Sequence, residues 1–260
     1  MSAIPIPIDP TAIRIGPLVL AWHGIFTSLG ILTGLYLAAY LAPRVHITAD
    51  DVWNSVWWVV LGGLAGARLL YAGEHAPAFA ADPLRILFIN EGGISVSGAV
   101  LGGMVGGAWW ARRNGVSPAR LLDVVGPGFL IGQAVGRIGD IINGEHWGTP
   151  ADGLPWAVVY THPDTLGEIG VPVHPAVAYE LLWDTAGAAA LVWVLRGRQI
   201  PPGVALTATL AWYGLGRFWV GFFRQDQHVI PGLGLAQLIG ITMLPIALLG
   251  MWLAFRRRVA

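Results

Sequence analysis

Apolar and polar residues alternate along this chain in long blocks. Mainly apolar runs cover 17–41, 52–71, 94–110, 121–142, 175–195, 204–222 and 235–255. Each is near the ~20 residues a helix needs to cross a bilayer, so the pattern predicts seven transmembrane helices. The run at 94–110 is the most diluted, by glycine. Residues 1–16 lack the basic start and small-residue cleavage site of a secretory signal, and read as an ordered arm lying on the surface. Residues 143–173 are too polar to span and too long for a turn. With the strand-like run from Trp156 to Tyr160 they predict a small extracytoplasmic head containing some β structure. The expected fold is an all-α integral membrane protein, one domain over 1–260, with 143–173 inserted as the head.

Composition agrees. The chain has 260 residues, 55% hydrophobic and 12% charged, with a mean hydropathy of +0.63, whereas soluble domains carry about 25% charged residues. The net charge is zero, so no nucleic acid or other polyanion is implied as partner. There is no cysteine, which excludes a disulfide framework, a thiol nucleophile and thiolate metal sites. No motif calls for a metal or cofactor. Arg44, Arg112, Arg113, Arg120, Arg196, Arg198 and Arg256 to Arg258 fall on one side of the seven spans. The other side holds only Arg85, Arg224 and Arg14 among the arginines, with most of the loop acids. The positive-inside rule then puts the N-terminus outside, the C-terminus in the cytoplasm and the head outside.

Chemistry concentrates in GRIGDIINGEHWG, residues 136–148, at the end of the fourth apolar run. On a helix, Gln133, Arg137, Asp140 and Gly144 share one face. Gly128, Gly132 and Gly136 form an adjacent stripe of the kind that packs helices closely in lipid. Arg137 and Arg217 each lie about five residues inside the outer end of a span, and Tyr213 is one turn before Arg217. His23, Arg68, Ser97, Gly98 and Glu180 fall at similar depth on other spans. Ionisable residues at such depth usually face the bundle interior and serve function. Arg68 and Glu180 can form a structural ion pair, and Arg68 can equally snorkel to the interface. Arg137 and Arg217 repel each other unless an anion lies between them, and the arginine fork suits phosphate. The expected anion is a phospholipid headgroup. Arg224, in an outer loop, reads as an exposed arginine outside this clamp.

GRIGDIINGEHWG, with Gly66-Ala-Arg-Leu-Leu-Tyr71, Glu91-Gly-Gly-Ile-Ser95, His174-Pro-Ala-Val-Ala-Tyr-Glu180, Tyr213-Gly-Leu-Gly-Arg217 and Phe222-Phe-Arg224, resembles the prolipoprotein diacylglyceryl transferase family. The pieces occur in the family's order from Trp22 to the end. The resemblance implies seven transmembrane helices of the bacterial cytoplasmic membrane, an extracytoplasmic head and a phosphatidylglycerol site in the outer leaflet. Its other implied partner is a prolipoprotein signal peptide with a lipobox cysteine. By this resemblance Arg137 binds the lipid phosphate, Glu145 is the essential acid of the signature and Asn143 its second asparagine. Arg217 is then the second essential arginine, Tyr213 its companion, and Gly98 a glycine of a His-Gly-Gly segment. The chain departs from the family pattern at four places: Ser97 stands for that segment's histidine, Asp140 for an asparagine, His23 for a tyrosine and Gly221 for a glutamate.

Two readings follow. In one, a precursor cysteine thiol attacks the glycerol carbon of phosphatidylglycerol, the arginines stabilise the leaving phosphate, and His23, assisted by Asp140 or Glu145, takes the thiol proton. His23 and Ser97 then share one cavity. In the other, the chain is a divergent relative that binds a phospholipid or serves another acceptor. A transporter is disfavoured, since no internal repeat or broken-helix pair is present.

Overall fold

The computed structural model describes residues 3–88, 93, 95–226 and 228–259. Strand β1 (Ile4–Ile6) precedes a hairpin of β2 (Thr11–Ile15) and β3 (Leu18–Ala21). The long helices are α1 (Trp22–Leu41), α2 (Ala49–Glu74), α4 (Val96–Arg113), α5 (Pro118–Asn143), α6 (Ala176–Gly197), α7 (Val204–Val220) and α8 (Leu235–Val259). A short helix, α3 (Ala76–Ala81), follows α2. Strand β4 (Val158–Tyr160) lies between α5 and α6, and β5 (His228–Ile230) with β6 (Leu233–Gly234) between α7 and α8.

Among the described residues, five segments are long and apolar enough to cross a membrane: Trp22–Val45, Ala49–Glu74, Pro118–Asn143, Ala176–Gly197 and Leu235–Arg256. Helix α7 has 17 residues, about 25 Å at 1.5 Å per residue, and α4 carries five glycines and two terminal arginines. The first apolar run also differs from expectation. Its opening residues, Leu18–Ala21, pair with β2 as a hairpin, and the helix starts only at Trp22. The outward surface is strongly apolar, with Trp57, Trp193 and Leu248 among the exposed side chains. A water-facing surface rarely carries so continuous an apolar cover.

Local chemistry sets the helix ends. Thr48 and Asp51 form a reciprocal capping box at the start of α2, at 3.1 and 2.8 Å. Pro118 occupies the first turn of α5. The buried carboxylate of Asp123, in α5, accepts from the backbone N–H of Gly203 (2.7 Å) and Leu206 (2.9 Å). One helix thereby caps the N-terminus of another, where a negative charge is favoured.

Packing relies on glycine contacts between antiparallel helices. A Cβ on Gly30 would run into the carbonyl oxygen of Gly132, and one on Gly34 into that of Gly128. These contacts join α1 to α5. Gly62 with Gly102, and Gly66 with Gly98, join α2 to α4 in the same way. Gly136, grouped with this stripe by spacing, has open space where its Cβ would be.

The bundle has two unlike ends. At one end, Leu41, Val45, Val52, Trp110, Leu121, Val124, Leu195 and Ala205 form a dry apolar core. At the other end, where α1 and α6 start and α5 and α7 finish, the buried groups are charged. A β-structured segment lies beside that end. β1 pairs in parallel with β4, Ile4 opposite Val158 and Ile6 opposite Tyr160, around a small core of Ile6, Tyr160 and Val173. Strand β4 falls within 143–173, and the N-terminal arm supplies its partner strand.

Candidate active site

The last two turns of α5 present Arg137 and Asp140, as the helical spacing requires. Their side chains pair directly, Arg137 Nη1 to Asp140 Oδ2, at 2.6 Å. Asp140 Oδ1 lies 2.7 Å from Nδ1 of His23, in the first turn of α1. Gly144 ends α5 with φ +76°, where glycine is favoured. The chain turns back there and sets Glu145 Oε2 3.7 Å from the same His23 nitrogen. Asn143 donates to Glu145 Oε1 at 3.0 Å.

Helix α6 contributes Glu180, only 4% exposed. Its Oε2 is 2.6 Å from Arg137 Nη2, and its Oε1 is 2.5 Å from Arg217 Nη1 and 3.0 Å from Arg224 Nη1. The register of α6 and α7 is held by Trp183 and Trp212, which stack at 4.7 Å. Each indole N–H donates to the other residue's carbonyl at 2.9 Å. Glu180 is three residues from Trp183, and Arg217 five from Trp212, so this lock sets the distance between them.

Arg224 arrives by a different route. Residues 147–149 run beside 223–225, with Gly148 bridging Arg224, Thr149 N–H donating to Phe223 O (2.9 Å) and Gln225 N–H to Trp147 O (3.3 Å). The Arg224 guanidinium then reaches Asp226 (3.0 Å) and donates to His146 Nδ1 (3.1 Å) as well as to Glu180. The result is one continuous network: His23, Asp140, Arg137, Glu180, Arg217 and Arg224, ending on Asp226 and His146.

Electrostatics explain how this survives burial. The three arginines are matched by Asp140, Glu180 and Asp226, since a buried ion is tolerated only when paired. Burial, then the nearby Arg224 and Arg137, hold the His146 imidazole below its usual range. Burial, with Asp140 close by, pushes the Tyr160 phenol up to about 12. Four buried side-chain atoms lack a hydrogen bond among the described residues: Arg137 Nε, Asn143 Oδ1, Glu180 Oε2 and Arg224 Nε, the last two having only their ion-pair contacts to Arg137 and Asp226.

Several sequence expectations change. The anion between Arg137 and Arg217 is the Glu180 carboxylate. Arg224 is not an exposed outlier; it is 9% exposed and shares that carboxylate. The Arg68–Glu180 pair does not form. Arg68 lies in another part of the fold and donates to the carbonyls of Ile86 (3.0 Å), Gly93 (2.8 Å), Phe88 (3.0 Å) and Arg85. Gly98 packs against Gly66 and Leu70 of α2. The Ser97 side chain and Glu91, Gly92 and Ile94 fall outside the described residues, and so does the cavity expected to join Ser97 to His23. His23, Arg137, Asp140, Asn143, Glu145 and Arg217 do converge. Tyr213 and Arg217 line one narrow pocket, together with Glu180, Trp183 and Asp184.

Glu180 as the keystone, and Arg224, Asp226 and His146 as members, were missed from sequence. Arg224 lies beyond the end of α7 and reaches the cluster through the Gly148 bridge, so helical spacing gave no signal for it. His23 Nδ1 and the Asp140 and Glu145 oxygens also lie within 4.8 Å of one another, a spacing a metal ion can bridge. The Arg137 guanidinium on Asp140 opposes a second cation there.

Comparison with known proteins agrees with the motif. The family described as prolipoprotein diacylglyceryl transferase matches residues 10–253. Three relatives carry the name phosphatidylglycerol–prolipoprotein diacylglyceryl transferase. The one from Gloeobacter violaceus is 34% identical over 255 residues, covering 95% of this chain and 93% of its own length. The one from Synechococcus elongatus is 35% identical over 249 residues, covering 93% and 86%. The one from Bordetella avium is 32% identical over 243 residues, covering 90% of each. With the match running through α1 to α8 and including every member of the buried network, the chain belongs to the prolipoprotein diacylglyceryl transferase family.

Proposed function

We propose that this protein transfers the diacylglyceryl group of phosphatidylglycerol to the lipobox cysteine of a prolipoprotein. The observation that carries this is the convergence of Arg137 and Arg217, from different helices, on the two oxygens of one anionic group. A lipid phosphodiester presents two charged oxygens in the same manner, and the guanidinium fork suits both.

The reaction would proceed as a displacement. The cysteine sulfur forms a bond to the glycerol carbon that bears the phosphate ester, and the carbon–oxygen bond breaks. Glycerol phosphate leaves with the electron pair, its growing charge met by the arginines. With His23 Nδ1–H donating to Asp140 Oδ1 at 2.7 Å, the Glu145 carboxylate lies farther off at 3.7 Å. The imidazole Nε2 lone pair is then free to take the thiol proton, and His23, 43% exposed at its side chain, is reachable. Asn143 braces Glu145 beside the imidazole, and Tyr213 lines the headgroup side.

The topology belongs to the same proposal: seven spans in the bacterial cytoplasmic membrane, N-terminus and the 143–173 segment outside, C-terminus inside. The arginine asymmetry supports it. Labelling of a single cysteine at Asp152 in this cysteine-free chain tests it; cytoplasmic labelling would overturn it.

Gly221 favours a second reading, a divergent relative with another acceptor. A Cβ there would meet the Gln237 side chain, so a glutamate at this position requires Gln237 to move. Complementation of cells depleted of their own transferase decides: growth with lipidated prolipoproteins supports the transferase, and bound phosphatidylglycerol without lipidation supports the divergent relative.

A further inference from the structure

Glu180 is shared more widely than structural pairing needs. Arg137 already has Asp140 and Arg224 already has Asp226, at 2.6 and 3.0 Å. Among the described residues only Arg217 depends on Glu180 alone for an ion pair. Yet all three guanidinium groups turn toward this one carboxylate. It lies between Arg137 and Arg217, one oxygen to each. The pocket beside it, lined by Trp183, Asp184, Tyr213 and Arg217, adjoins a side chain with three rotatable torsions.

We infer that Glu180 is the resident anion of the arginine clamp, holding Arg137 and Arg217 converged until a substrate phosphate displaces it. The inference rests on the clamp reading above. It assigns Glu180 a positioning and selecting role rather than contact with the reacting atoms. A phosphate anion must outcompete an internal carboxylate, so a headgroup lacking an exposed anionic phosphate gains nothing by entering. Discrimination of this kind comes from the occupant that has to be expelled as much as from the new contact.

The test uses the full-length protein in phosphatidylcholine nanodiscs, titrated with phosphatidylglycerol and, separately, with inorganic phosphate. Glu180→Gln keeps the volume and removes the charge. We expect it to bind phosphatidylglycerol about ten-fold or more tightly than wild type, the scale of one charge-assisted contact, and kcat to fall while KM drops. A gain for inorganic phosphate as well means that the site reads phosphate alone; a gain confined to the lipid means that the glycerolipid is also needed. Both support displacement. Equal or weaker binding of both probes by Glu180→Gln overturns it, because a carboxylate that only braces the arginines loosens the site when neutralised. If Glu180→Gln does not fold, the charge-balanced E180Q/R224Q variant is compared with R224Q, and the same gain is expected. Arg137→Ala and Arg217→Ala report on the clamp separately. If they bind like wild type the clamp fails; if they lose binding while Glu180→Gln gains none, only the displacement fails.

Discussion

His23 Nδ1 lies 2.7 Å from Asp140 Oδ1, although 117 positions separate them in the chain. The contact orients the imidazole, because a carboxylate on one ring nitrogen fixes the proton there and leaves the other nitrogen basic. Glycine packing brings it about: Gly139, one residue before Asp140, has no room for a Cβ against the His23 backbone.

His23→Ala should lower transferase activity by ~10²–10⁴-fold, the usual scale for general base catalysis. Asp140→Asn should also lower it, because the imidazole loses the carboxylate that orients it. A radiolabelled phosphatidylglycerol transfer assay checks both. Full activity in His23→Ala would sink the base assignment and leave the arginine cluster untouched.

Arg224→Ala should weaken phosphatidylglycerol binding and destabilise the fold, whereas Arg14→Ala, on the exposed hairpin, should do neither. Removing one partner of a buried pair costs roughly 3–5 kcal/mol, against less than about 1 kcal/mol for an exposed arginine. Thermal unfolding in detergent separates the two variants.

His146 adds a pH dependence. Its folded-state value lies below the ordinary 6.5, so the unfolded chain binds the proton more readily. Stability from this group is complete above the unfolded value and is lost as pH falls from there through the folded value. His146→Gln, which still offers Arg224 an acceptor, should flatten the stability slope just below pH 6.5. An unchanged slope would assign the effect to another group.

Gly34→Val should unfold or badly loosen the bundle, because the new side chain meets the backbone of Gly128. Overpacking of a tight interface typically costs about 1–3 kcal/mol. Gly24→Ala, with nothing within 4 Å of its added Cβ, should be neutral. The melting temperatures of the two variants in detergent make the comparison.

Sequence by itself determined the class of this protein and half of its site. The apolar blocks predict the long helices to within a few residues, because burying a backbone in lipid leaves helix as the available local form. Arg137 and Asp140 were legible as neighbours because helical periodicity is a local rule. The hairpin at Leu18–Ala21 was not legible, since an apolar run suits strand and helix alike until a partner strand decides. Glu180 was visible as a buried charge but not as the centre of three arginines. That depends on the Trp183–Trp212 lock and on the Gly148–Arg224 bridge, contacts between distant segments that no local pattern encodes. Only the tertiary structure could choose Glu180's partners, because ion pairing follows distance in space and Arg68, at the right depth, lies with other helices.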